Sequence, residues 1–210
     1  MQNGRNRFAS GKCTALRFAL AWVFVCTLLF PAQGAERLLI DFDQVALTED
    51  GAIPDWYGKE FATGLVLTAE PSAVSEGRLA LYGYLEATPG GNRRAMIQWM
   101  LPEDMRDWTQ IKGLLVDFYN PNDKDLRMGF AIQTGESWTW QEIAPVRLAP
   151  GWTKDIYYPF DQPVWKSAST GWSYVLPPFD LEDVRGINFL VVAFEDGSYE
   201  FALDNIRVVE

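Results

Sequence analysis

The stretch Tyr199-Glu200-Phe201-Ala202-Leu203-Asp204-Asn205-Ile206-Arg207-Val208-Val209 decides the architecture. Its apolar side chains fall at Tyr199, Phe201 and Leu203 and resume, after one break, at Ile206 and Val208. That alternation has the period of a half-buried strand. The polar pair Asp204-Asn205 interrupts it where a bulge or an ion ligand is the usual reason. A closing strand of this kind tucks into a sheet, so earlier strands must flank it.

The preceding chain supplies them. Arg78 to Glu86 alternates, with Leu79, Leu81 and Leu85 on one side and Arg78, Tyr82, Tyr84 and Glu86 on the other. Arg94 to Leu101 sets Arg94 and Gln98 opposite Ala95, Ile97 and Trp99. Ile111 to Tyr119 is the most apolar run and reads as central, and Asn120-Pro121-Asn122-Asp123 ends it in a turn. Leu126 to Gln133, Trp138 to Leu148, Trp152 to Phe160 and Gly186 to Phe194 are further strands, with Arg37 to Asp43 and Glu60 to Thr68 before them. Pro102 to Trp108 reads as a short helix, because a leading Pro and then Glu103-Asp104 suit a first turn. Gln162 to Pro178 reads as a long loop with three aromatics. About ten strands, almost no helical periodicity and a turn every dozen residues predict an all-β fold, an antiparallel β-sandwich.

Residues 1–34 read as a secretory signal peptide, and 35–210 as one domain. Arg5, Arg7, Lys12 and Arg17 form a basic head, and Phe18 to Phe30 is an apolar run too short to span a bilayer comfortably. Pro31-Ala32-Gln33-Gly34 then offers small residues for cleavage. Both cysteines, Cys13 and Cys26, lie in the removed segment, so the mature domain holds together without disulfides. At about 175 residues it is large enough to bury about 70% of its unfolded surface. Losing four of 18 basic residues leaves 14 against 28 acidic, a net charge of −14. Such a domain disfavours nucleic acid and, once the signal is gone, an anionic membrane. The chain has no histidine, which excludes Ser-His-Asp and Cys-His catalysis and histidine zinc sites. The expected location is periplasmic or secreted.

Four motifs resemble those of galactose-binding-like jelly-roll domains, a group that includes many carbohydrate-binding modules and the complex I intermediate-associated type. Leu39-Ile40-Asp41-Phe42-Asp43 followed by Trp56 resembles their opening, and Lys112 to Pro121 their central strand. Pro150-Gly151-Trp152-Thr153-Lys154 is similar to their turn into a strand, and Phe201 to Ile206 to their closing motif. The first motif departs from the pattern, since Asp43 stands where Glu is usual. The resemblance implies a jelly roll and a structural calcium between terminal strands, with Asp41, Asp43 and Asp204 as carboxylate ligands. The alternative is that Asp204 and Asn205 satisfy backbone groups at a bulge.

Eight tryptophans remain in the mature chain. Trp99 and Trp152 read as packing residues and Trp108 as the seal of a connection. Trp138 and Trp140 follow a polar turn, and Trp165, Trp172 and Tyr174 sit in the long loop. Large rings on loops cost water contact unless they cap the core or meet a ligand. A pyranose ring offers an apolar face that Trp or Tyr covers while polar neighbours bond its hydroxyls. Tyr82, Tyr84, Arg94, Gln98, Arg127 and Gln133 all occupy outward phases on three strands and would supply those partners if the strands are neighbours. The expected function is polysaccharide binding without catalysis. The alternatives are an envelope protein-interaction or assembly domain using the same aromatic surface, and an enzyme with paired carboxylates. Glu136 and Glu142 lie near the aromatics, but the E-x-D-x-x-E triplet usual for jelly-roll glycosidases does not occur.

Overall fold

The computed structural model describes residues 34–60, 62–89 and 93–210 of the chain. The expected signal peptide, apart from Gly34, lies outside the described residues. Among the described residues twelve strands form: β1 (Glu36–Leu38), β2 (Trp56–Glu60), β3 (Ala62–Thr68), β4 (Ala80–Ala87), β5 (Arg94–Met100), β6 (Gly113–Asn120), β7 (Leu126–Thr134), β8 (Thr139–Leu148), β9 (Gly151–Pro159), β10 (Trp165–Ser167), β11 (Val184–Ala193) and β12 (Gly197–Val209). They make two antiparallel six-stranded sheets. Sheet A runs β3-β4-β12-β6-β9, with β1 also paired to β12, and sheet B runs β10-β8-β7-β11-β5-β2. The closing strand therefore lies inside a sheet, between β4 and β6, as its alternation requires.

The core lies between the sheets. Leu81, Leu85, Phe118, Phe201 and Leu203 from sheet A meet Ile97, Phe130, Ile132, Ile187 and Phe189 from sheet B, all fully buried. Phe130 is the aromatic centre, with Tyr158 at 5.1 Å, Phe189 at 5.3 Å and Trp165 edge-on at 6.0 Å. Gly83 interrupts the apolar phase of β4 because the Phe201 ring lies against it, where a side chain would collide with the ring.

The break at Asp204-Asn205 is a β-bulge. Pairing with β6 shifts register between Asp204 and Arg207, and Asn205 takes a left-handed conformation with φ of 50°. Asp204 accepts backbone N–H bonds from Ser75 (2.7 Å) and Glu76 (3.0 Å) through one oxygen and from Asn205 (2.8 Å) through the other. These bonds tie the segment between β3 and β4 onto sheet A.

Several expectations need correction. The strand expected over Arg37 to Asp43 shrinks to β1, and a 3-10 turn over Phe42–Gln44 follows it. The Asp41 carboxylate caps that turn by accepting the Asp43 N–H at 3.0 Å, a local bond that competes with an extended backbone. The helix expected at Pro102 is a single 3-10 turn, Glu103–Met105. Trp108 is sealed after it, its indole N–H donating to the Met105 carbonyl at 2.9 Å. Strands β2 and β10, the two edges of sheet B, lie outside the strands expected from the alternation. Trp152 packs, but on the outer side of sheet A, against Tyr119 at 5.1 Å and bonded to the Ser72 carbonyl at 3.0 Å. Among the described residues no helix is long and apolar enough to cross a membrane.

Candidate functional site: the outer face of sheet B

On the core side of sheet B stand Ala95, Ile97, Phe130, Ile132, Ile187 and Phe189, so the alternate residues face outward. The pairing register places these in rows across the strands. One row runs Tyr57, Gln98, Asn188, Ala131, Glu142, Lys166, from edge to edge. The next runs Met100, Gly186, Gln133, Trp140.

At the middle of this face three amides meet. Gln98 Nε2 donates to Gln133 Oε1 across β11, and Asn188 Nδ2 lies 3.4 Å from the same oxygen. Gly186 makes room for the contact: a Cβ there would stand 3.3 Å from Gln133 Oε1 and from the Trp99 carbonyl. The cluster is under-satisfied, because Gln98 Oε1 and Asn188 Oδ1 are buried and accept no hydrogen bond among the described residues. An unpaired buried acceptor costs about 1–3 kcal/mol, so the cluster favours an incoming donor.

Rings and charges flank the amides. Trp140, directly opposite Gln133, is half-buried and donates through its indole N–H to Glu142 at 3.2 Å. Glu142 also pairs with Lys166 at 3.1 Å, and Lys166 Nζ sits 4.8 Å from the Tyr174 ring centre. Burial opposes the charge on Lys166, but Tyr174 and Glu142 outweigh it and hold its pKa above the ordinary lysine value. Trp138 occupies the tight β7–β8 turn with φ of 52°, is 38% exposed, and carries the Arg185 guanidinium 5.6 Å from its ring. On the opposite edge Tyr57 is 47% exposed beside Gln98.

The segment bearing Trp172 and Tyr174 is held in place by Gln141. This buried amide donates to the Phe179 carbonyl at 2.8 Å and accepts the Phe179 N–H at 2.9 Å. Val175 and Leu176 return alongside β10, bonded to Trp165. Trp172, with φ of 64°, is 54% exposed and Tyr174 is 38% exposed.

The structure brings some of the expected residues together and separates others. Arg94, Gln98, Arg127 and Gln133 share the outer face of sheet B with Trp140. Tyr82 and Tyr84 do not: β4 belongs to sheet A, on the other side of the molecule. There Tyr82 donates to Glu200 at 2.8 Å, and its pKa is raised first by burial and then by that carboxylate. Trp165 is also excluded, being 1% exposed, wedged against Phe160 at 5.4 Å and bonded to the Pro159 carbonyl at 2.7 Å. The alternation missed Tyr57, Lys166 and Asn188, and Glu142 was noted only as a carboxylate near the aromatics. Asn188 did leave a signal, as the lone uncharged polar residue in the apolar run Gly186 to Ala193.

Asp41, Asp43 and Asp204 border one depression of about 500 Å³, but each carboxylate is engaged by backbone N–H groups. The Asp43 carboxylate accepts the backbone N–H groups of Arg78 at 2.8 Å and Leu79 at 2.7 Å, which hold its pKa below the ordinary value. Asp204 accepts the N–H groups of Ser75 and Glu76 from the β3–β4 segment and of Asn205 from the bulge, and burial pushes its pKa up. These N–H bonds already supply part of the stabilisation that an ion would otherwise give the carboxylates. Among the described residues no group of three acidic or other ligating side chains converges on a point where an ion could sit.

No protein-family model matches the sequence, and no curated protein matches it. In structure the chain is similar to the family 11 carbohydrate-binding module of a cellulosomal cellulase of Clostridium thermocellum, with 16% identity, a TM-score of 0.56, and 84% of this chain and 95% of that one covered. That module in complex with a β-1,3-1,4-mixed-linked tetrasaccharide matches at 17% identity and a TM-score of 0.55, over 83% of this chain and 95% of the other. An exo-β-agarase matches at 14% identity and a TM-score of 0.58 over 81% of this chain, which spans 24% of that protein. These likenesses establish the fold: a β-sandwich jelly roll of the carbohydrate-binding-module type, as the sequence motifs implied.

Proposed function

We propose that this protein is exported and binds a polysaccharide, without transforming it, on the outer face of sheet B. The observation that carries the reading is the Gln98–Gln133–Asn188 cluster, with two buried acceptors unpaired, standing directly beside Trp140. A sugar presents both complements: a flat C–H face for the indole and hydroxyl donors for the amides. Both amides are buried, so binding there requires Gln98 or Asn188 to turn outward. Tyr174, Trp138 and Trp172 extend the aromatic margin at the β10 side, and Tyr57 marks the other. Export rests on the signal-peptide pattern of residues 1–34.

Magnitudes suit a polymer-binding module. Two or three rings at about 1.5–2 kcal/mol each, with a few hydrogen bonds at about 1 kcal/mol, give roughly 6–8 kcal/mol before ordering costs. That corresponds to a Kd of roughly tens of micromolar to millimolar. Catalysis is not part of the reading. Glu142, the carboxylate nearest the rings, is neutralised by Lys166 and bonded to Trp140, and Glu136 is exposed on a turn.

Affinity electrophoresis through gels containing cellulose derivatives, xylan, β-glucan, agarose or alginate tests this. Retardation by at least one polymer is expected, with Trp140→Ala weakening it about tenfold and no reducing ends released. The rival, docking on an envelope protein, draws on the exposed apolar run Trp172, Tyr174, Val175 and Leu176. Free migration through every gel, with one envelope protein co-purifying, would favour that rival.

A further inference from the structure

Charge is divided unequally between the two sheets. Strands of sheet B carry six basic residues and two acidic ones, whereas strands of sheet A carry three basic and six acidic. In a chain of net charge −10 this leaves sheet B the more basic sheet, although Lys166, Arg147 and Arg185 are each paired with a carboxylate.

This bias has a local structure. Arg94, Val192, Arg127 and Arg147 form one outward row, four residues along the strands from the row containing Gln98, or about 13 Å. The Arg127 guanidinium lies 4.4 Å from the Phe194 ring centre and that of Arg147 5.8 Å from the same ring, which is 40% exposed. Arg147 is paired with Asp125 and Lys124 with Glu195. Arg127 is exposed and, among the described residues, meets no acidic group. Stacking fixes the plane of a guanidinium while leaving its N–H edge free, the arrangement suited to two-pronged recognition of an anion. Lys59, on the edge strand β2, is likewise exposed without an acidic partner among the described residues.

We propose that the polysaccharide taken by this face is acidic, its rings bearing carboxylate or sulfate-ester groups, and that Arg127, held on Phe194, receives one of them a few sugars from Trp140. The inference rests on the glycan reading above. A polymer lying along the strands would stack at the Trp140 end and pair its anion at the arginine row. The rest of the surface, being acidic, repels such a polymer, so attachment is confined to sheet B.

Isothermal titration of the mature protein with oligogalacturonate, a sulfated galactan and a neutral mixed-linkage β-glucan tests the proposal, using wild type, Arg127→Gln, Arg127→Lys and Trp140→Ala. An acidic polymer should bind tighter than the neutral one and weaken with added salt. Arg127→Gln should lose about five- to tenfold in affinity for it, Arg127→Lys less, with thermal midpoints unchanged. Which acidic polymer binds distinguishes carboxylate from sulfate. Neutral glucan bound as well as either acidic polymer, with Arg127→Gln silent and Trp140→Ala impaired, overturns the charge proposal and leaves the glycan site standing. Failure of all three polymers to bind overturns both.

Discussion

Asp43 and Asp204 show how one residue type serves opposite electrostatic ends. Asp43 is held ionised by the Arg78 and Leu79 N–H groups, so its folded pKa lies below the ordinary 3.8. A depressed folded pKa contributes stability above the unfolded value, lost as pH falls through the folded one. Burial raises the Asp204 pKa, so its charge costs stability at neutral pH and protonation relieves that cost. We therefore expect Asp43→Asn to lower the urea midpoint near pH 6 and to narrow its gap from wild type by about pH 3. Equilibrium unfolding at both values checks it. At this scale the outward residues Arg94, Gln98, Arg127 and Gln133 were legible because alternation fixes which face a side chain takes. Alternation does not fix which sheet a strand joins, and Tyr82 and Tyr84 were misplaced for that reason. Trp165 was misread because its strand has three residues, too few to show a period, and points it inward.

Edge elements and their ties position the site. Strand β10 and the return of Val175 and Leu176 form the margin of sheet B, and Gln141 fastens the far end of that return at Phe179. Removing the Gln141 amide leaves the Phe179 N–H and carbonyl without their partner and frees Thr134 Oγ1, now bonded at 2.7 Å. Gln141→Ala is expected to cost about 1–3 kcal/mol, to speed amide exchange at Phe179, and to weaken glycan binding through Tyr174. Hydrogen exchange with a binding titration measures both. The long central strands were legible because each carries several turns of alternation and a flanking turn signal. Strands β2 and β10 were not, since pairing with one neighbour lets an edge tolerate irregular sequence.

At the scale of the molecule, two sheets of opposite charge enclose one aromatic core. The jelly roll was legible from strand number and four short motifs, but the sites were only partly so, because they depend on which strands become neighbours. Calcium was implied by motif; among the described residues Asp41, Asp43 and Asp204 do not converge as an ion-binding group, and each already accepts backbone N–H bonds. The central claim is that glycan meets sheet B and not sheet A. The direct measurement is an indole ¹⁵N–¹H titration of residues 35–210 with the oligosaccharide that binds them, following each tryptophan separately. The Trp140 and Trp138 signals should move together with saturation, while Trp152 on sheet A and Trp165 in the core stay fixed. Saturable movement of Trp152 with Trp140 and Trp138 unmoved would contradict it.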